Sequence, residues 1–426
     1  MVTSALVLVF AASSMGATIP ETIVDRQNSV FQEFWGTDFV WKFDDLPAKS
    51  SIPEFRVPYS GYIYLDTNGG TINAMRKYDY AFHRGRMPAT SFEQWDTTAY
   101  KKPQTQRAGL FGFRSRTVMT TPNWHGHCNG WTAAAIRHAE PQTSVRRNGV
   151  VFTPRDIKAM LAEIYIYNET RDLIKSNEAV NAGVFHAIIT NWVGRGMHPL
   201  GLEADPGEEK WNYPIYGYST SSAKRSDREV DVRMNLVYAN SSRGESDRSP
   251  RISRTKSFHY RLNLNSAGEI VGGYFYRGSS MIDMLWIPVR PKQGKQPGNE
   301  RGNPHVDVDE VLAIWRESVP AEIRNKWPVI DPPAADRIAD TSQIVGLVPL
   351  QQQPLPEVDQ VATADDATPT AEADGAADAT AEEADTAEES DSTNVAAEPT
   401  ASDAEEAEDS DESEEIAEPQ AATASY

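Results

Sequence analysis

The sequence predicts a mixed α+β domain with a cysteine-bearing helix ahead of a strand-rich half, flanked by segments of different composition. Three observations predict it. Apolar residues recur with helical spacing after Cys128 and again after Thr153; short apolar runs bounded by turn residues fill residues 184–275; and a body rich in Trp, Tyr, Phe and Gly spans residues 52–330.

The first helix starts at Cys128, with Trp131, Thr132, Ala135 and Ile136 at i+3, i+4, i+7 and i+8, and Pro141 stops it. The second is announced by Thr153-Pro154-Arg155-Asp156, a capping-box start with Pro in the first turn, and continues with Ile157, Met160, Leu161 and Ile164 on one face. A third begins near Asp307, with Glu310 three residues on, and carries Val311, Leu312 and Trp315. Strands are expected over Val184–Val193, Val230–Tyr238, Phe258–Leu264 and Glu269–Phe275, the last two joined by the turn Asn265-Ser266-Ala267-Gly268.

The flanks read differently. Residues 1–17 hold the apolar run Ala5 to Ala12 followed by small residues, too short for a membrane span and suited to a cleaved secretory signal, although no Lys or Arg precedes it. Residues 18–51 form a lead that reads as an N-terminal extension or pro-segment, and residues 331–350, opening Asp331-Pro332-Pro333, read as a linker. Residues 351–426 carry 24 of the 61 acidic residues and no Lys, Arg or His, so the net charge of −20 belongs to this tail and the body is close to neutral. A tail of Ala, Glu, Asp, Thr and Ser has too little apolar surface to offset its ordering entropy, and disorder is expected. The secretory reading places the protein outside the cell or in a cell wall. The basic stretch Ser241–Lys256 lacks interleaved aromatics and reads as a solvated loop, which argues against a nucleic-acid partner; no segment after residue 17 is suited to a membrane.

One cysteine permits no internal disulfide, and an odd thiol in a secreted chain is intermolecular, reactive or simply buried. Cys128 stands where a loop, Asn123-Trp124-His125-Gly126-His127, enters a helix. Free backbone N–H groups and the positive end of the helix dipole favour a thiolate there and offer donors for an oxyanion. His125, His127 and Cys128 are also metal-ligand types, but a metal site needs a second ligand cluster, and the sequence offers no other Cys and only scattered His; no metal site is expected.

A thiolate nucleophile needs an imidazole and a group to orient it. His186 lies in the apolar run Gly183–Asn191, where an unpartnered ring is costly; it is the candidate base, the alternative being a hydrogen-bonded core histidine. Asn191 is an odd number of residues away and would face the other side of a strand, so Asn212, in Lys210-Trp211-Asn212-Tyr213-Pro214, is preferred as the third catalytic residue over an ordinary turn role. Trp124 and Trp131 are candidate substrate-binding residues that would exclude water, with core packing the competing role for Trp131.

The run Trp124-His125-Gly126-His127-Cys128-Asn129-Gly130-Trp131, with Arg137-His138-Ala139-Glu140-Pro141 after it, resembles the transglutaminase elicitor family of oomycetes. Lys77-Tyr78-Asp79, Trp95, Phe185-His186 through Asn191, and Gly272-Gly273 through Leu285-Trp286 share the resemblance, which covers about residues 59–288. Trp211–Tyr218 looks like the family's short surface peptide perceived by plants, with Tyr213 in place of the usual Gln. The resemblance implies a papain-like cysteine-enzyme fold and protein-glutamine γ-glutamyltransferase activity, with Cys128 matching the nucleophile and His186 the base. Met281-Ile282-Asp283 departs from an expected His-Pro-Asp, which puts full activity in question.

The expected reaction cross-links protein Gln to protein Lys through a Cys128 thioester, with no cofactor for the chemistry and a divalent cation such as Ca2+ left open. Its partners are proteins bearing Gln and Lys, and a plant receptor for residues 211–218. Two rivals remain: a papain-like hydrolase using the same residues, and a secreted wall or binding protein whose enzyme site has decayed.

Overall fold

The computed structural model describes residues 17–108, 114–176, 178–204 and 206–324. The chain divides into two units, Met1–Ala362 and Thr363–Tyr426, and every described residue lies in the first. The expected signal before residue 17, the linker 331–350 and the acidic tail 351–426 lie outside the described residues.

In chain order the elements are α1 (Glu21–Trp35), β1 (Lys49–Ser51), α2 (Ile72–Phe82), α3 (Pro88–Ala99), β2 (Lys102–Ala108), β3 (Arg114–Thr120), α4 (Cys128–Arg137), β4 (Val145–Arg147), β5 (Val150–Phe152), α5 (Pro154–Tyr165) and β6 (Thr170–Ile174). They continue with α6 (Ala182–Ile189), β7 (Leu200–Glu203), β8 (Asn212–Ser226), β9 (Glu229–Ala239), β10 (Ser253–Leu264), β11 (Ile270–Phe275), β12 (Met284–Pro288), α7 (Val308–Ser318) and α8 (Ala321–Arg324). The main sheet runs β11-β10-β9-β8-β7-β12-β6, all neighbours antiparallel, with β1 on β8. The mixed helix and antiparallel-sheet class is as expected.

Two cores flank β12. Leu285 and Ile287 belong to a core shared with α1, α6 and the long strands, whereas Trp286 belongs to a core built by α2, α4, α5 and α7. Alternation of side chains along a strand accounts for the split.

The helices at Cys128, Pro154 and Val308 stand where periodicity puts them, and α5 has the Thr153–Asp156 capping box. The Asp307 side chain accepts from the Glu310 N–H and so caps α7. One expectation is corrected. Residues 184–193 are not a strand: Ala182–Ile189 is helical and a π-helical turn continues through Thr190–Arg195, capped at its start by Asn181, whose side chain accepts from the Gly183 N–H. Within the lead 18–51, Ile19, Phe31, Phe34 and Phe39 are buried in the core.

Candidate active site

The loop before α4 is clamped against residues 63–66. The His127 N–H donates to the Ile63 carbonyl at 2.7 Å, the Asp66 N–H to the His125 carbonyl at 3.0 Å, and Gly126 bridges Leu65. A Cβ on Gly126 would stand 2.9 Å from the Tyr64 carbonyl oxygen, so the backbones approach this closely only with glycine. Below the loop, the His127 Nε2 lies 3.1 Å from Glu163 Oε2 and 3.5 Å from Glu93 Oε1, all three buried. Thr71 completes the cluster: its hydroxyl donates to Glu163 and its N–H to Glu93, both at 2.7 Å. The two acidic side chains raise His127 well above its ordinary range despite burial, with Glu163 as its hydrogen-bonded anion, while burial beside Glu163 pushes the Glu93 carboxyl up to about 8. These three donor atoms lie within 4.8 Å of one another, as metal ligands would, and they satisfy one another as a His127–Glu163 ion pair beside the protonated Glu93 carboxyl. The triad fixes the residue immediately before Cys128.

Helix α4 is seated on its neighbours by close contacts. A Cβ on Gly130 would meet the Ala162 carbonyl of α5 at 2.3 Å, and the Thr132 hydroxyl donates to the Asn212 carbonyl at 3.0 Å, tying α4 to the start of β8. Cys128 and Asn212 therefore arrive together from the helical layer and the sheet.

Cys128 lies on a cavity of about 360 Å³ whose other lining residues include Trp124, His125, Asp66, Lys210 and Asn212. Its thiol donates to the Lys210 carbonyl at 3.3 Å, and the Asn212 Nδ2 donates to the sulfur at 3.8 Å. Trp286 Nε1–H in turn donates to Asn212 Oδ1 at 2.9 Å. Burial pushes the Cys128 thiol up from its ordinary value; the backbone N–H and side chain of Asn212 and the backbone N–H of Asn129 act in the opposite direction, and Glu203 adds to the rise. The resting sulfur is thus a thiol rather than the thiolate expected from its helix-terminal position, surrounded by donors suited to negative charge once it develops.

Across the cavity, Asp96 accepts from the Tyr167 hydroxyl and pairs with Arg301 at 3.5 Å, and the Arg301 guanidinium sits 4.2 Å from the Tyr167 ring centroid. Lys210 forms ion pairs with Asp283 and, at 3.8 Å, with Glu203. His125 is stacked on Tyr100 with ring centroids 4.5 Å apart, packs edge-on to Trp124 at 4.2 Å, and faces Asp66 at 3.9 Å.

Of the residues singled out from sequence, the structure joins Cys128, Asn212 and Trp124. His186 is elsewhere. It is buried in the core on α6, its Nδ1 2.7 Å from the Tyr260 hydroxyl and its ring against Phe43, and burial lowers its pKa to about 3. Helix α6 packs on β10 and β11, while α4 packs on β7, β8 and β12; at about 4.8 Å per strand, two or more strand spacings intervene. The hydrogen-bonded core histidine is the role this geometry supports. Asn212 consequently sits beside Cys128 and not beside His186. Trp131 is buried in the core under Gly61, where a Cβ would meet its ring at 2.9 Å, so it packs and does not line the cavity. Residues 211–218 are not a surface peptide: Asn212 and Pro214 to Tyr218 are buried in β8, with Trp211 and Tyr213 half-buried.

Asp66, Asp96, Tyr100, Tyr167 and Arg301 were not foreseen. They come from helix α3 and from turns and loops spread over more than two hundred residues, and no local spacing links them to Cys128. The one usable signal was His125, three residues before the thiol and set beside Trp124.

The model of the transglutaminase elicitor family matches residues 112–174, the segment that carries Cys128, Glu163 and Tyr167. The solved structure of the GP42 transglutaminase from Phytophthora sojae superposes with a TM-score of 0.56 at 20% identity, covering 71% of this chain and 99% of that one. At that identity the likeness establishes a shared fold. No curated protein matches the chain. The chain thus resembles the transglutaminase elicitor family in sequence around the thiol and a transglutaminase in fold. Among the described residues no helix is long and apolar enough to cross a membrane.

Proposed function

We propose that the protein is a secreted protein-glutamine γ-glutamyltransferase with a papain-like arrangement, in which Cys128 carries the acyl group as a thioester. The observation that carries the reading is the placement of Cys128 at the start of α4, on an aromatic-walled cavity, with the Asn212 amide and two backbone N–H groups directed at the sulfur. Attack of sulfur on a Gln carboxamide would place negative charge where those donors converge. Ammonia leaves, a Lys amine attacks the thioester, and an isopeptide bond results. Trp124 and Tyr100 on the cavity wall favour transfer to amine by restricting water. The partners are proteins bearing Gln and Lys. The elicitor resemblance supports action against or perception by plants; recognition of residues 211–218 would need β8 released from the sheet, as in a degraded chain.

The test is incorporation of a labelled primary amine into a Gln-bearing protein, with ammonia release followed in parallel. Wild type is expected to do both and Cys128→Ala neither. Glutamine deamidation without label would favour the hydrolase, and silence in both assays would favour a binding protein with a decayed site.

A further inference from the structure

The acyl-transfer reading needs a proton carrier that meets sulfur and amine in the same cavity, and the foregoing geometry removes His186 from that role. We propose that His125 is the acid–base residue of the Cys128 cavity and that Asp66 is its positioning carboxylate.

Four observations converge on this pair. His125 and Asp66 both line the cavity that holds Cys128. The imidazole is fixed in orientation, stacked on Tyr100 at 4.5 Å and edge-on to Trp124 at 4.2 Å, so its plane is set before substrate arrives. Its Nδ1 faces Asp66 Oδ2 at 3.9 Å, longer than a formed hydrogen bond and of the kind that closes when substrate binds. The backbone ladder between residues 63–66 and 125–127 holds the two residues opposite each other. The remaining charged groups do not compete for the role: Asp96 is occupied by Tyr167 and Arg301, and Lys210 by Asp283 and Glu203.

The electrostatics agree. Burial lowers the His125 pKa, and Lys102 and Arg301 lower it further, so the ring is neutral near pH 7 and able to accept a proton. Burial raises Asp66 to about 6, with His127 and Arg301 acting against the rise and Asp96 and Glu163 adding to it. Among the described residues, Asp96, Tyr100, Tyr167, Lys210 and Arg301 are the other titratable groups on the cavity besides Cys128.

The steps balance. The Cys128 S–H proton passes to the His125 imidazole as the S–C bond forms at the Gln carboxamide. The imidazolium then gives that proton to the departing nitrogen as the C–N bond breaks, releasing ammonia. A neutral Lys amine attacks the thioester and cedes a proton to His125; the C–S bond breaks and the sulfur regains the proton.

This inference rests on the acyl-transfer reading, and the experiment separates their failures. Full-length wild type, His125→Gln, Asp66→Asn and His186→Gln are compared for amine incorporation, for the pH profile of kcat/KM, for the rate of Cys128 alkylation by iodoacetamide against pH, and for thermal unfolding. His125→Gln is expected to unfold like wild type, to lose about 100-fold or more in transfer, and to slow alkylation at pH 7 at least about tenfold. Asp66→Asn is expected to displace the acidic limb of the pH profile while leaving unfolding unchanged, an effect that a purely structural carboxylate would not produce. Folded His186→Gln is expected to retain transfer. Wild-type transfer or alkylation rates in folded His125→Gln would overturn the assignment. If wild type alkylates with the expected dependence on His125 yet incorporates no amine, the acyl-transfer reading falls and the pairing of the two side chains stands.

Discussion

Trp286 holds Asn212 from behind: its indole N–H donates to the amide oxygen at 2.9 Å, which turns the amide nitrogen towards the sulfur of Cys128. The amide orientation is thereby fixed by a residue that does not itself line the cavity. Replacing the indole by a phenyl ring in Trp286→Phe leaves that oxygen buried without its donor. A loss of about 1–3 kcal/mol in unfolding free energy is expected, along with slower transfer. Asn212→Ala should cost about 100-fold or more in kcat as its amide is lost to the developing oxyanion, and about 1–3 kcal/mol in unfolding because the buried Trp286 N–H loses its acceptor. Amine-incorporation kinetics and denaturant unfolding of both variants check this, and an Asn212→Ala enzyme of wild-type kcat would dismiss the role.

The same indole can be displaced from its other face. A Cβ on Gly201 would stand 2.2 Å from the Trp286 ring, which is itself buried. Gly201→Ala is expected to destabilise the fold by about 1–3 kcal/mol through overpacking and to lower thiol reactivity in the folded fraction. Chemical denaturation and Cys128 alkylation on one preparation measure both.

His186 bears on acid stability. Its folded pKa of about 3 lies below the ordinary 6.5, so the unfolded chain binds a proton that the folded chain refuses. Its stabilising contribution is complete above pH 6.5 and is lost at about 1.4 kcal/mol per unit as pH falls towards 3. His186→Gln should flatten the unfolding midpoint between pH 6 and 4 relative to wild type, and an unaltered acid slope would contradict this.

Glu93 has the opposite sign. Its folded carboxyl keeps its proton to about pH 8 while the unfolded one releases it near 4.5, so its contribution diminishes as pH rises through that window. Glu93→Gln is therefore expected to fold and to gain stability relative to wild type at pH 8. Glu163→Gln removes the anion paired with the His127 imidazolium and should cost about 3 kcal/mol or more. Thermal melts at pH 5 and pH 8.5 distinguish them; equal effects of the two substitutions would refute the assignment of charge within the triad.

Much of the helical layer is legible in the sequence because α4, α5 and α7 carry large apolar residues at helical spacing among small or polar ones and start with a recognisable residue: Cys128 after a glycine-bearing loop, Thr153 with Asp156, Asp307 with Glu310. Residues 184–193 misled for a physical reason. Every side chain from Ala182 to Gly194 is buried, so no polar face remains to reveal the helical period, and Val184, Ile188 and Ile189 favour a strand by their branching. The Asn181 cap was the available clue. Asn212 could be proposed because a polar residue before an aromatic strand invites a role. Asp66, Tyr167 and Arg301 could not, since only the folded loops bring them to the thiol.

Strand β12 sends Leu285 and Ile287 into one core and Trp286 into the other. A chain collapsed around a single layer would leave the sulfur and the sheet-borne amide on surfaces that have not yet met. Chemical labelling at position 128 would consequently mark docking of the two halves during refolding, giving a kinetic probe of assembly that needs neither substrate nor turnover.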